Sequence, residues 1–389
     1  MDAATAGLDA PLAALSVPAL AWNAHDMLRR AAGTPIRVAS KSVRVRGVLD
    51  AVLALPGFAG VLAYTLAEGL WLAQTIPDVV VGYPSADRSA IARLAADPEL
   101  AQRVTVMVDS VEQLDLIDSV VAPGARERIR VCLELDASLR APLLGHVGVR
   151  RSPVHSVAQA RGLAEAIVAR PGFALVGIMA YEAQVAGVAN RPPGRHWLYR
   201  RMLDAVQARS LLELLERRSA VVSAVRELAE LEFVNGGGTG SLEDTAADPA
   251  ITEIAAGSGL FGPTLFDGYS RFSPAPAAGF ALAAVRRPAP RMVTVHGGGW
   301  IASGPPGADR VPTPVWPPGL RMLPREGAGE VQTPLVGPEA DDLRLGDRVW
   351  FRHAKAGELS EHANELVLVD GDRVAGSLPT YRGEGKAFL

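Results

Sequence analysis

Between about Ala19 and Ser270, short runs of β-branched and apolar residues alternate with longer stretches whose apolar positions recur at helical spacing. The short runs predict strands at Ile36–Ala39, Val61–Tyr64, Val79–Gly82, Thr105–Val108, Val131–Leu135, Leu175–Ala180, Leu231–Asn235 and Ile251–Ala255. The stretches between them predict helices such as Val48–Leu55, Ala86–Ala96, Val111–Val121 and Val157–Ala169, with Ser110 and Ser156 as N-caps and Asp87 near a helix start. Eight strands, each followed by a helix, over about 250 residues is the pattern of a (β/α)8 barrel of TIM type. An open doubly wound sheet carries the same pattern, because periodicity does not distinguish closure. The connection from Ala186 to Glu230 is overlong: a Pro-Pro-Gly turn precedes a charged, leucine-rich run from His196 to Glu230. It reads as one or two amphipathic helices on the outside of the barrel, the sharper alternative being a helix that binds a partner.

Past Ser270 the helical period disappears, and prolines, glycines and short valine-rich runs take over. Asp370-Gly-Asp372 between Leu366–Val369 and Arg373–Ala375 is a hairpin cue, so this part is read as a mostly β domain. The expected division is therefore an N-terminal segment 1–18 packing on the β domain, a barrel over 19–273 and the β domain over 274–389.

Composition narrows the partners more than the fold. The chain of 389 residues is 49% hydrophobic with a formal net charge of −3, and its charges are mixed along its length. Nothing there marks a nucleic-acid footprint. No run approaches the 18 apolar residues of a membrane span, and residues 1–15 lack the basic start and long apolar core of a leader, so a cytoplasmic protein is expected. The single cysteine, Cys132, lies in an apolar run and reads as strand packing. A small-molecule substrate and a second copy of the chain are the expected partners.

Barrels carry their chemistry at the C-terminal ends of the strands. Those ends hold Lys41 after the first strand, Asp109 and Ser110 after the fourth, Glu134 and Asp136 on the fifth, and Tyr181 and Glu182 after the sixth. The seventh runs into Asn235-Gly-Gly-Gly-Thr-Gly240 and the eighth into Gly257-Ser258-Gly259. Glycine-rich turns there expose backbone N–H groups that can cradle a phosphate, with Thr239, Ser241 and Ser258 adding hydroxyls. A strand-end lysine that loses its proton is an amine nucleophile. Phosphate loops and such a lysine together suit pyridoxal 5'-phosphate, whose aldehyde forms a Schiff base with lysine. The spacing excludes the nucleotide-binding P-loop. His296-Gly-Gly-Gly-Trp300 matches an esterase oxyanion loop, but no Gly-x-Ser-x-Gly elbow accompanies it, and it reads as a tight turn. His25, His146, His155 and His196 read as surface or capping residues, and Glu134 or Asp136 could face the barrel interior or sit in a structural ion pair.

Ala39-Ser-Lys-Ser42, Gly148-Val-Arg-Arg-Ser-Pro153, Gly177-Ile-Met-Ala-Tyr-Glu182, Asn235-Gly-Gly-Gly-Thr-Gly240, Thr252-Glu-Ile-Ala-Ala-Gly-Ser258 and Leu345-Gly-Asp-Arg-Val-Trp-Phe-Arg-His353 occur in that order. In these stretches, which span most of its length, the chain resembles the fold-type III pyridoxal-phosphate enzymes of the alanine racemase N-terminal-domain superfamily, in the D-threonine aldolase and D-serine dehydratase-like branch. The resemblance implies Lys41 as Schiff-base lysine, Tyr181 as a cofactor-pocket aromatic, and Gly237, Gly238, Thr239, Gly257 and Ser258 as phosphate-binding residues. It implies an arginine near the ring, Arg150 or Arg151, with Arg151 carried forward and Arg140 the further candidate. It also implies a homodimer in which one subunit's β domain closes the other's barrel mouth.

The branch holds a divalent metal with His-x-Cys or His-x-Asp. Here the tripeptide is His353-Ala-Lys355, and a lysine must lose its proton before it can ligate. His353 is left as a candidate ligand. One reading gives Lys355 the metal's charge with His353 as base, another rebuilds a metal site from His353, Glu358 and His362, and a third makes both residues structural. The implied activity is retro-aldol cleavage of β-hydroxy D-amino acids to glycine and an aldehyde. The alternatives are a D-serine dehydratase-like deaminase, an amino-acid racemase, or a pyridoxal-phosphate carrier, against which the long β domain argues.

Overall fold

The structure, a computed structural model, describes residues 1–142, 144–305, 307–355 and 357–389. Strand β1 (Leu12–Ser16) joins the sheet of the C-terminal half. The runs expected as barrel strands are β2 (Ile36–Ala39), β3 (Phe58–Ala63), β4 (Val79–Val81), β5 (Val104–Val108) and β6 (Ile129–Glu134), followed, after a hairpin of β7 (Leu139–Ala141) and β8 (Gly145–Val147), by β9 (Phe173–Ala180), β10 (Phe233–Gly236) and β11 (Glu253–Ala256). They pair in parallel and close as β10-β11-β2-β3-β4-β5-β6-β9, so the sheet is a barrel and not an open doubly wound one.

Closure depends on what fills the interior. Val80, Met107, Cys132, Val176, Met179 and Phe233 form one buried cluster inside the barrel unit, and each large apolar side chain so buried stabilises by about 1.5–3 kcal/mol. Phe233 sits opposite Gly177 across β9 and β10, where a Cβ at 177 would fall 2.3 Å from its ring. Glycine there is a packing requirement. Toward the N-terminal end of the strands, Arg37 forks onto Glu253 at 2.7 and 2.8 Å and onto Asp78 at 2.9 Å, and Asn235 donates to Glu253 at 2.8 Å. Paired in this way, the buried Arg37 has its pKa raised even though burial alone would lower it.

Helix starts follow local chemistry. Asp87 accepts from the Ala90 N–H, and Ser156 forms a full capping box with Gln159. Ser110 stands at the expected N-cap but makes no side-chain cap bond; beside it Asp109 and Gln113 exchange hydrogen bonds of 2.7 Å. The long connection is one helix, Trp197–Arg226. Its second half buries Ser210, Leu214, Arg217, Arg218, Val221, Val222 and Val225, whereas Trp197, Leu198 and Met202 in its first turns are exposed. The expected apolar face therefore runs along half the helix and includes two arginines.

The other sheet contains β1, β12 (Ala278–Ala289), β13 (Met292–His296), β14 (Thr313–Trp316), β15 (Arg321–Met322), β16 (Gln332–Val336), β17 (Arg348–Arg352), β18 (Glu365–Asp370) and β19 (Arg373–Pro379). Its main path is β15-β16-β13-β12-β1-β18-β19, with β17 pairing β12 and β14. Strand β1 lies antiparallel to β12 and parallel to β18, and the β18–β19 hairpin turns where Asp370-Gly-Asp372 signalled it. After His296, a Cβ at Gly299 would fall 2.5 Å from the Glu330 backbone, and the next residue, Trp300, lies flat on His362 with centroids 4.6 Å apart. The oxyanion-like motif thus serves aromatic packing.

By proximity of their Cα atoms the residues form two compact units that interleave along the chain. One comprises Met1–Asp26, Lys41–Val52 and Ser258–Ala387, and the other Met27–Ser40, Leu53–Gly257 and Phe388–Leu389. The sequence reading sets its boundaries after 18 and after 273. Among the described residues no helix is long and apolar enough to cross a membrane.

Candidate active site

Strand alternation carries the interior face of the barrel outward to its C-terminal end. Met107 and Cys132 point inward, so two residues later Asp109 and Glu134 do so as well, and the β5–β6 register sets them opposite each other. Both are buried. Burial, then the Asp109 charge, pushes the Glu134 carboxyl up to about 7, with Arg151 opposing and Asp136 adding to the rise. Asp109 is likewise raised by burial, against its bond from Gln113. Asp136 behaves oppositely: burial would raise it, but the Ser138 peptide and hydroxyl, with Arg140 at 2.8 Å, hold its carboxyl below the usual value. It is the structural ion pair that the sequence left as one option.

That pairing also separates the three candidate arginines. Arg140 is taken up by Asp136, and Arg150 lines an open cleft with Arg140 and His146. The Arg151 guanidinium lies 5.4 Å from the Tyr181 ring centre and 5.5 Å from that of Tyr83, a cation–π arrangement with both. The Tyr181 phenol is pushed up to about 12, mainly by burial, with Arg151 opposing. Tyr181, Arg151, Tyr83, Glu134 and Asp109 thus form one cluster at the ends of β4, β5, β6 and β9. Tyr83 carried no signal in the sequence beyond its place after β4.

The loop after β10 is built inward. Gly237 has φ +78° and donates its N–H to Glu182 Oε2 at 2.9 Å, while Gly238 donates to Ser241 Oγ at 3.2 Å. Two of the N–H groups expected to face a phosphate are therefore bonded to side chains of the protein, Glu182 after β9 and Ser241 within the loop. Thr239 is buried and its carbonyl accepts from Arg30 at 2.7 Å. After β11, a Cβ at Gly257 would stand 2.5 Å from the Ala39 carbonyl oxygen, so glycine is required where this turn passes the end of β2.

Beyond Ala39 the chain makes a short 3-10 turn, Ser40–Ser42, with Lys41 exposed at its centre. Arg44, at φ +53°, donates to the Lys41 carbonyl at 3.0 Å and is ion-paired with Glu361. A Cβ at Gly357 would fall 2.3 Å from that same carbonyl oxygen. The lysine backbone is thus held on two sides within its unit.

His353 and Lys355 are not brought together as a metal clamp. His353 is 1% exposed, lies edge-on to Phe261, and neither ring nitrogen has a hydrogen-bond partner. Burial, then the Arg352 charge, drives its pKa down to about 3. It is neutral at any physiological pH. Lys355 Nζ donates to Ser303 Oγ at 3.0 Å and to the Ser303 carbonyl at 3.3 Å. Glu358 accepts from the Ser303 N–H, and His362 stacks on Trp300. Among the described residues no three His, Cys, Asp or Glu side chains gather as a metal site, so this donor set does not fit a divalent ion and the rebuilt site of His353, Glu358 and His362 is not formed.

A closed (β/α)8 barrel followed by a β domain, with a lysine one turn past its first strand, is the architecture of the fold-type III pyridoxal-phosphate class. More narrowly, the chain belongs to the alanine racemase N-terminal domain family, whose model matches residues 15–264. Among solved structures it is similar to D-threonine aldolase from Filomicrobium marinum, at 21% identity, covering 97% of this chain and 96% of that one with a TM-score of 0.80. It is also similar to D-threo-3-hydroxyaspartate dehydratase from Delftia sp. HT23, at 19% identity with 96% and 97% covered and a TM-score of 0.70. Alanine racemase from Bacillus anthracis follows at 14% identity, 96% and 98% covered, TM-score 0.62. At these identities the likeness is one of fold. No curated protein sequence matches.

Proposed function

We propose that the chain is a pyridoxal-phosphate-dependent lyase that cleaves β-hydroxy D-amino acids to glycine and an aldehyde. The observation that carries this reading is the position of Lys41. Of the three lysines in the sequence, Lys41, Lys355 and Lys386, it alone follows a barrel strand. The turns after β10 and β11 are glycine-rich and carry the hydroxyls of Thr239 and Ser258, a composition that fits a phosphate-bearing cofactor. Family membership and the likeness to the Filomicrobium marinum aldolase support the same class.

In this reading Lys41 would hold the cofactor through its side-chain amine, and Thr239 and Ser258, with the peptides around them, would hold its phosphate. Gly237, Gly238 and Gly257 shape those turns and let the chain pass closely. Arg151 and Tyr181 face the ring. Bound pyridoxal phosphate supplies an electron sink for a bond breaking at Cα. Lys355, its ammonium oriented by Ser303, would donate a charge-assisted hydrogen bond to the substrate's β-oxygen. The neutral, closed-off His353 is a packing residue against Phe261, not the base that its place in the tripeptide suggested. The working unit is a homodimer, and the substrate is a small amino acid.

Incubation with D- and L-β-hydroxy amino acids, reading aldehyde and keto acid separately, tests the reaction. Glycine and aldehyde from the D series, lost in Lys41→Ala, are expected. Keto acid and ammonia would reassign the chain to the dehydratases, and no product from either series would refute a lyase.

A further inference from the structure

Glu182 is 0% exposed, at the end of β9, and its carboxylate accepts from the Gly237 N–H at 2.9 Å and from Thr245 Oγ1 at 2.5 Å. Such a carboxylate needs a counter-charge as well as donors. The long helix provides one: Arg218, 2% exposed, has Nη2 4.0 Å from Glu182 and Nε 3.1 Å from the buried Asp248. Its guanidinium occupies the space beside Gly236, where a Cβ would come within 2.4 Å of Nη1. The adjacent Arg217 turns elsewhere, donating to the carbonyls of Asp136 at 2.7 Å and Ser138 at 3.0 Å. The inserted helix therefore reaches the loop after β10 through Arg218.

We propose that Glu182 and Arg218 are positioning residues, by which the long helix locks the loop Gly236–Gly240 into the conformation that receives the cofactor's phosphate. This rests on the loop being the phosphate site. Gly237 is held at positive φ by a bond to a group that never meets the ligand, so the hydroxyl and peptides that follow are presented already ordered. A loop ordered in advance binds more tightly than one that must order on binding.

The test compares apoprotein affinity for pyridoxal 5'-phosphate with that for pyridoxal, which lacks the phosphate but reacts with the same lysine, both followed by visible absorbance. Glu182→Ala should weaken pyridoxal phosphate binding by about tenfold, the loss of one charge-assisted hydrogen bond, and leave pyridoxal binding unchanged. Thr245→Val should act in the same direction and carries the test if Glu182→Ala does not fold. Arg218→Met should follow Glu182→Ala, whereas Arg217→Met should leave the ratio of the two affinities at the wild-type value. A wild type that does not prefer the phosphorylated compound would refute the phosphate loop itself. A wild-type preference that survives Glu182→Ala or Thr245→Val, or that Arg217→Met abolishes equally, would overturn the positioning role alone.

Discussion

Replacing Glu134 with glutamine should stabilise the protein, and by an amount that depends on pH. The side chain is 7% exposed and faces Asp109 across two barrel strands, and its carboxyl is raised from 4.5 to about 7. That difference corresponds to roughly 3 kcal/mol. Below 4.5 the carboxyl is protonated in both folded and unfolded states and adds no cost. Between 4.5 and about 7 the folded protein keeps a proton that the unfolded chain has released, so stability falls as pH rises; above about 7 the whole cost stands. Glu134→Gln keeps the shape and removes the ionisation. Urea unfolding of the apoprotein should therefore place the variant within error of wild type near pH 4, and up to about 3 kcal/mol more stable at pH 8. In a unit of this size that is a rise in Tm on the order of 5–10 °C. An equal difference at both pH values, or a less stable variant at pH 8, would refute the picture of a buried, proton-holding carboxyl at the barrel mouth.

Arg37→Met leaves Glu253 buried with Asn235 as its remaining donor, and chemical denaturation should register a loss of about 3–5 kcal/mol. Asp78→Asn, at the half-exposed end of the same cluster, should cost less than about 1 kcal/mol. Gly237→Ala forces a Cβ to within 2.7 Å of Ile254 and 2.8 Å of Thr245 at φ +78°; it should lower both stability, by about 1–3 kcal/mol, and affinity for pyridoxal phosphate in absorbance titrations. Chelator treatment should leave the rate of aldehyde formation unchanged while Lys355→Met lowers it tenfold or more, roughly one charge-assisted hydrogen bond. Strict dependence on a divalent ion would contradict the role given to that lysine.

The barrel was legible because most of its strands are short apolar runs that the fold buries, and such runs look alike whether the sheet is open or closed. Closure involves contacts such as Phe233 over Gly177, between residues far apart in the chain, that no periodicity records. The long helix was legible as a helix but not in its role: Arg217 and Arg218 sit in a charged run, and burial of two neighbouring arginines shows only when their carbonyl and carboxylate partners fold against them. The same limit applied to Glu182, which was named as a strand-end residue although its function is to turn inward. His353 was picked from its tripeptide, but nothing local announces that a histidine is fully enclosed and neutral. Glu134 and Asp109 were each visible at strand ends; their opposition across β5 and β6 needed the register.

The proposed chemistry requires pyridoxal phosphate on Lys41, and in a chain with three lysines a labelling experiment decides it. Protein incubated with pyridoxal phosphate, reduced with borohydride and digested should carry the resulting stable adduct on the peptide containing Lys41, with Lys355 and Lys386 unmodified at equimolar cofactor. Absence of an adduct, or label on Lys355 or Lys386 in its place, would contradict the account.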